Sequence, residues 1–238
     1  MLQNGTLALV GSGEYLPPME PVDRYLLSYV RGERSERGAA RVVCLPTAAG
    51  TEGEKTLRYW TDLGNEHFTR LGVPVETVPV IDRAGANDES LAARVRAANF
   101  VYLSGGKPDY LHKTLADTPV WAAIVGVLAA GGVVAGCSAG AMVFGGRIPS
   151  FPTIFPFRSA FNFLPGAVIM PHYDEFGDGS FAQMIRLALG NDTLLGIEGN
   201  TALVCADGKY VALGAGGVTV WTPKAKTRYT DKQEIKWP

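Results

Sequence analysis

Cysteine is scarce in this sequence. Its 238 residues hold three, Cys44, Cys137 and Cys205, scattered and odd in number, with no CxxC pair. That excludes a disulfide framework and a structural zinc site, and it fits a reducing cytoplasm. Charge is sparse too, at 19% of residues, and nearly balanced, with 22 Lys plus Arg against 23 Asp plus Glu. A net charge of −1 supplies no concentrated positive field, so neither nucleic acid nor an anionic membrane is an expected partner. Disorder is equally unexpected, because 47% of the residues are hydrophobic and the net charge is close to zero. The opening MLQNGTLALVGSGE has no Lys or Arg and only a short apolar run, unlike a secretory signal. Residues 118–146 carry no charge at all and are long enough to suggest a membrane span. Their punctuation argues otherwise. Thr118-Pro119 is a helix start and Gly131-Gly132 a stop, which leaves a helix of about 12 residues, too short to cross a bilayer.

The chain is rich in glycine, with 29 residues, and in alternating patterns. Residues 6–13, 41–48, 75–80, 100–106 and 132–136 are apolar runs that read as strands. Between them, 19–30, 52–71, a segment capped by Asn87, 119–130 and a stretch from 139 read as helices. This alternation predicts right-handed βαβ units: an α/β, three-layer, doubly wound architecture with a mostly parallel sheet. Such sheets bind ligands at the carboxyl ends of their strands, where GSGE, PTAAG, SGGKPD and GCSAG fall. Residues 147–166 break the pattern with Pro149, Pro152, Pro156, Pro165 and five of the ten Phe residues. They read as an ordered apolar loop, packed on the body or on a second subunit, the latter giving a homodimer. Residues 178–190 look helical. LLGIEG, TALVCAD, KYVALGA and VTVW then predict a small C-terminal strand region with a tight turn at Asp207-Gly208. The expected organisation is one domain over 1–222, followed by a polar tail, 223–238, that is frayed or forms edge structure.

Gly136-Cys137-Ser138-Ala139-Gly140 fits G-x-S-x-G, the pattern that sets a serine on a sharp strand-to-helix turn above a sheet. The N–H of Ala139 would then face a developing oxyanion, and the backbone of Gly105-Gly106 could supply the other half of the hole. A serine needs a base, and there are three histidines. His67 lies within a helix and reads as surface or half-buried. His112 is helical, after SGGKPDY. His172, in IMPHYDEF, ends a strand and begins a loop, so it is the expected base. Residues 139–171 contain no Asp or Glu, so an acid cannot lie between Ser138 and His172. Glu198, in LLGIEGNTAL, is the expected third member, while Asp174 and Glu175 read as poorly placed to reach back to the ring. Gly105, Lys107, Asp109 and Tyr173 are the expected substrate contacts. No metal or organic cofactor is expected. His172 with Asp174 and Glu175 lacks ligand spacing, Gly11-Ser12-Gly13 lacks the third glycine of a dinucleotide loop, and no Walker lysine is present. Cys137 reads as a small buried residue.

GCSAGAMVF, preceded by SGG and followed by a lone His and a GIE…TAL segment, resembles the aspartyl dipeptidase (dipeptidase E) and cyanophycinase-like serine peptidase family. GSGE and LPTAAG resemble family positions as well, so the likeness covers about residues 5–220. It implies a class I glutamine amidotransferase-like, flavodoxin-like fold. It also implies Ser138 as nucleophile, His172 as base, Glu198 at the acidic position, and Gly106 and Ala139 as oxyanion donors. The sequence departs from the family at Lys107-Pro108 and in YDEFGDGS, which directs expectation away from cyanophycin. The expected function is a cytoplasmic serine hydrolase acting on a small peptide or amide. Two rivals stand beside it: a catalytically silent scaffold using the Phe-rich segment, and a glutaminase-type amidotransferase.

Overall fold

The computed structural model describes residues 5–30, 40–150, 154–176 and 179–237. The chain begins β1 (Thr6–Val10), α1 (Glu20–Leu27), β2 (Val42–Leu45), α2 (Glu54–Arg70), β3 (Val75–Thr77), α3 (Arg83–Ala86), α4 (Glu89–Arg96) and β4 (Phe100–Leu103). It continues α5 (Pro108–Leu115), α6 (Pro119–Ala129), β5 (Val133–Cys137), α7 (Ala139–Met142), β6 (Arg147–Ser150), β7 (Ile154–Ser159) and β8 (Ala167–Met170). It ends with α8 (Tyr173–Phe176), α9 (Ser180–Ala188), β9 (Thr193–Ile197), β10 (Thr201–Ala206), β11 (Lys209–Gly214), β12 (Gly217–Trp221) and β13 (Lys226–Thr230).

Seven strands form the central sheet, in the order β11-β10-β1-β5-β4-β2-β3. The five from β1 to β3 run parallel, and β10 and β11 add an antiparallel edge. Every residue of β1, β2, β4 and β5 is buried, because helices cover both faces; that is why these strands read as continuous apolar runs. Alternate side chains serve the two layers. Leu7, Leu9, Val101, Leu103 and Val134 pack with Ala92, Val95, Leu111, Ile124 and Val127 of α4, α5 and α6. Ala8, Val10, Cys44, Tyr102 and Ala135 pack with Val22, Leu26 and Phe68 of α1 and α2. The three-layer architecture is as expected. A second sheet, β13-β12-β9-β8, buries Val168, Met170 and Leu194 against Tyr173 of α8 and Ala182 and Ile185 of α9. Asp207 and Gly208 both have positive φ, 51° and 74°, and close the β10–β11 hairpin as the sequence predicts.

Several local readings change. The proline-rich segment contains two strands where a loop was expected: β6 and β7 pair antiparallel, Arg147 with Ser159 and Ile148 with Arg158, with a register shift between Ile148 and Ser150. A two-stranded ladder leaves each strand an open edge, which tolerates Pro149 and Pro156. Phe161 beyond it stacks on Trp121 with ring centroids 3.5 Å apart, and Phe163 packs on Trp121 and Phe144, so this part of the segment lies on the body. Met1–Asn4, Phe151, Pro152 and Asp178, which entered the sequence readings, lie outside the described residues. The cap of α4 is Asp88, whose Oδ1 accepts from Ser90 N at 2.7 Å and Leu91 N at 3.3 Å; Asn87 instead donates its amide to Arg83 O. His67 is fully buried, with Nε2 2.8 Å from Asp23 Oδ2. The residues after 222 form edge structure. β13 pairs along β12, and Ile235 enters the main core. Among the described residues no helix is long and apolar enough to cross a membrane.

Candidate active site

β5 stops at Cys137, and the chain reverses through Ser138 into α7. Ser138 adopts φ 49°, ψ −111°, a region that costs a non-glycine residue energy and persists only when its surroundings enforce it. The outer glycines of GCSAG make the reversal possible by close approach. A Cβ on Gly136 would lie 2.2 Å from Gly140 O, and one on Gly140 would lie 2.4 Å from Leu103 O. The serine is thereby lifted clear of the strand ends, with its Oγ 3.2 Å from His172 Nε2.

His172 follows β8 and Pro171 and has φ 53°. Glu175 N donates to His172 O at 3.0 Å, which closes the single turn α8. Three residues along one helical turn share a face, so Glu175 Oε1 comes 2.9 Å from His172 Nδ1. With Nδ1–H donating to that carboxylate, Nε2 presents its lone pair to the Ser138 hydroxyl. The side chain of Glu175 is 64% exposed and that of His172 34%, so the pair is largely solvated. The next residue back, Asp174, accepts from Gly199 N at 2.7 Å and fastens this turn to the β9–β10 connection.

Glu198 does not touch His172. Its carboxylate accepts from Arg228 Nε at 2.6 Å and Nη2 at 2.7 Å, and that bond holds the Arg228 guanidinium above its ordinary value. The physical reason lies in the strand order. Glu198 leaves β9 beside β12, with its N–H on Gly217 O, so its side chain meets β13, the next strand out. The expected place of Glu198 beside the ring is taken by Glu175. The sequence signal for Glu175 was its i, i+3 spacing from the histidine across a helical turn.

Gly106, after β4, has φ +139°, and a Cβ there would lie 2.5 Å from Ala48 C, so only glycine fits. Among the described residues, neither the Gly106 N–H nor the Ala139 N–H has a protein acceptor. The Gly105 N–H does: it donates to Glu14 Oε1 at 2.9 Å. Glu14, at the end of GSGE, was singled out for no role by sequence reasoning. It is buried, and its Oε2 accepts the Cys137 thiol at 2.8 Å. One carboxylate thus ties together the chain ends leaving β1, β4 and β5. Burial, and then the Glu14 carboxyl beside it, push the Cys137 thiol well above its ordinary value, which keeps it a thiol and an unreactive one.

Two cavities meet at the serine. The larger, about 680 Å³, is lined by Gly106, Ser138 and His172 and also by Lys107 and Asp109, two of the expected contacts. Lys107 Nζ donates to Thr51 Oγ1 at 2.9 Å, and Asp109 pairs with Arg158 at 3.3 Å. The smaller, about 340 Å³, is lined by Gly105 together with Ser12, Glu14, Tyr59 and Trp60. Tyr173 lines neither cavity. It is buried, and its ring fills the space over Gly196, whose added Cβ would sit 2.5 Å from it. His112 packs on Phe161, ring centroids 4.6 Å apart. Among the described residues no group of three His, Cys, Asp or Glu side chains is placed to hold a metal ion.

Residues 7–213 match the model of peptidase family S51. The chain belongs to this family. Cyanophycinase of Synechococcus elongatus is similar to this S51 chain at 26% identity over 200 residues, 79% of the chain and 60% of the relative. The chain thus spans about 60% of that relative's length. Cyanophycinase of Trichormus variabilis is 25% identical over 210 residues, 82% of this chain and 67% of the relative. Among solved structures, a peptidase from an acI-B1 Actinobacterium superposes over 99% of this chain and 98% of its own, with a TM-score of 0.88 and 31% identity. A putative peptidase E protein of Listeria monocytogenes shares the fold, with a TM-score of 0.64 and 20% identity.

Proposed function

We propose that this S51 chain is a serine peptidase that cleaves a small peptide or related amide through an acyl-enzyme. The Ser138–His172 contact of 3.2 Å, made from a strained turn at the carboxyl edge of the sheet, is the observation that carries the reading. In the first half-reaction Ser138 Oγ–H passes its proton to His172 Nε2 as Oγ bonds to the substrate carbonyl carbon. The carbonyl oxygen becomes an oxyanion, and the N–H groups of Gly106 and Ala139 donate hydrogen bonds to it. Collapse breaks the C–N bond, and the leaving amine takes the proton from Nε2. Water then enters, gives a proton to the same nitrogen and attacks the acyl carbon, and Oγ leaves with that proton. Glu175 keeps the proton on Nδ1 and stabilises the imidazolium. Lys107 and Asp109 face the substrate, and Glu14 acts from beneath by fixing Gly105.

A scaffold role loses support from the packing of Phe161 and Phe163 on Trp121, which takes these rings off the expected interaction surface. The test is hydrolysis of a dipeptide panel by the wild-type protein and Ser138→Ala, alongside labelling by a fluorophosphonate. Turnover that falls by about 10³-fold or more in the variant, with labelling confined to wild type, is the expected result. Equal turnover in both proteins would overturn the assignment.

A further inference from the structure

The two cavities beside Ser138 differ in chemistry. Gly106, Ser138 and His172 line both, so a carbonyl held at the serine directs one substituent into each. The smaller has a polar and aromatic lining, with Ser12, Glu14, Tyr59 and Trp60. In the larger, the wall contributed by β8, α7, α8 and α9 includes Met142, Val168, Met170, Phe176, Phe181 and Ile185. The charged residues of that cavity, Lys107, Asp109 and Lys113, all lie on or beside α5. Of these, Asp109 is paired with Arg158 and Lys107 is bonded to Thr51. Phe176 is 45% exposed and stacks on the half-buried Phe181 with centroids 5.2 Å apart, so an aromatic ring stands in solvent at the edge of the site. Large apolar surface left open in this way marks a place where an apolar group docks. A cavity of this size and lining is typical of sites for sizeable apolar ligands.

We propose that the larger cavity is a subsite for a bulky apolar group, so that preferred substrates carry an aromatic or branched aliphatic side chain on one side of the scissile amide. A carboxylate side chain lying against the Met142–Ile185 wall would lose its water, and the lysines of the cavity lie on or beside α5 and not in that wall, so acidic residues are disfavoured at that position. The inference rests on the serine peptidase reading and adds the substrate class to it.

The test compares kcat/KM for dipeptides X-Ala and Ala-X, with X as Phe, Leu, Ala, Asp or Lys, and follows fluorophosphonate labelling in parallel. At one of the two positions Phe and Leu are expected to exceed Ala by about 10- to 100-fold, with Asp below Ala. Phe176→Ala, on an exposed turn, is expected to lower the Phe-to-Ala ratio by about 3- to 10-fold. Phe181→Lys is expected to move the preference toward Asp. A wild-type panel in which Asp leads, or in which X makes no difference at either position, overturns the apolar subsite while labelling still supports the nucleophile. Absence of both labelling and turnover would instead overturn the peptidase reading beneath it.

Discussion

Replacing Glu175 by Gln separates two accounts of how His172 is held. The Glu175 carboxylate is 2.9 Å from Nδ1, a geometry that in a dry site would contribute about 1.5–3 kcal/mol as a hydrogen bond to a charged partner. Here the side chain is 64% exposed, and exposed ion pairs contribute only about 0–1 kcal/mol. The imidazole is the better shielded partner, at 34%, which places the pair between these limits, at about 1–2 kcal/mol. With about 1.36 kcal/mol per decade, kcat/KM should fall by about 5- to 30-fold. A buried triad acid would give a far larger loss, on the order of 10⁴-fold. Glu198→Gln is the control. Its carboxylate is 14% exposed and doubly bonded to Arg228, so the variant should lose about 1–3 kcal/mol of stability with kcat/KM changed by no more than about twofold. The measurements are steady-state kinetics on the best dipeptide and denaturant unfolding, for both variants. A loss on the order of 10³-fold in Glu198→Gln beside a silent Glu175→Gln would refute the reasoning.

Further outcomes follow from the same geometry. Glu14→Gln can accept from only one of Gly105 N–H and Cys137 S–H, so it should lower stability by about 1–3 kcal/mol and reduce kcat more than it raises KM; a stability loss with kcat unchanged would remove Glu14 from the positioning of the oxyanion loop. Gly106→Ala places a Cβ against Ala48 at a positive φ, and kcat should drop by about 10²- to 10³-fold as one oxyanion donor moves, which single-turnover kinetics would read. Partial burial holds the His112 imidazole below its ordinary value. The unfolded chain then takes up a proton that the folded one resists, so stability present above about pH 6.5 is lost as the pH falls below it. Unfolding midpoints measured from pH 7.5 to 5 should decline less in His112→Gln, and identical slopes would contradict this.

Much of the fold was legible because parallel strands covered on both faces must be apolar throughout. TLALV, VVCL, FVYL and VVAGC announce themselves in that way. The helix 119–129 was legible from its punctuation, Thr118-Pro119 before it and the paired glycines after. The β6–β7 ladder was hidden, because Pro149 and Pro156 argue against strands in general, and only the isolation of a two-stranded sheet permits them. His67 looked like a helix-surface residue, since its buried partner Asp23 comes from another helix and leaves no local trace. In the site, the serine turn and the base are set by short-range pattern, and the structure brings them together. The acid is set by which strand neighbours which, and for Glu198 that neighbour is β13, some thirty residues downstream. Glu14 was invisible for a related reason: a carboxylate at the end of β1 gains meaning only when the ends of β4 and β5 arrive beside it.

The position of β1 in the sheet has a consequence for the order in which the protein comes into being. Residues 6–10 pair on one edge with 133–137, and residues 7–10 pair on the other with 202–205. The loop after them is held by Asn200 N on Ser12 O and by Glu14 on Gly105 and Cys137. Contacts so distant in sequence close late and slowly. A ribosome-bound chain made as far as Ser138 has the nucleophile without its base. One made as far as Glu175 has both, yet one edge of β1 still waits for β10. On the proposed function, hydrolytic competence waits for β10, and a chain stalled before residue 206 is expected to lack it.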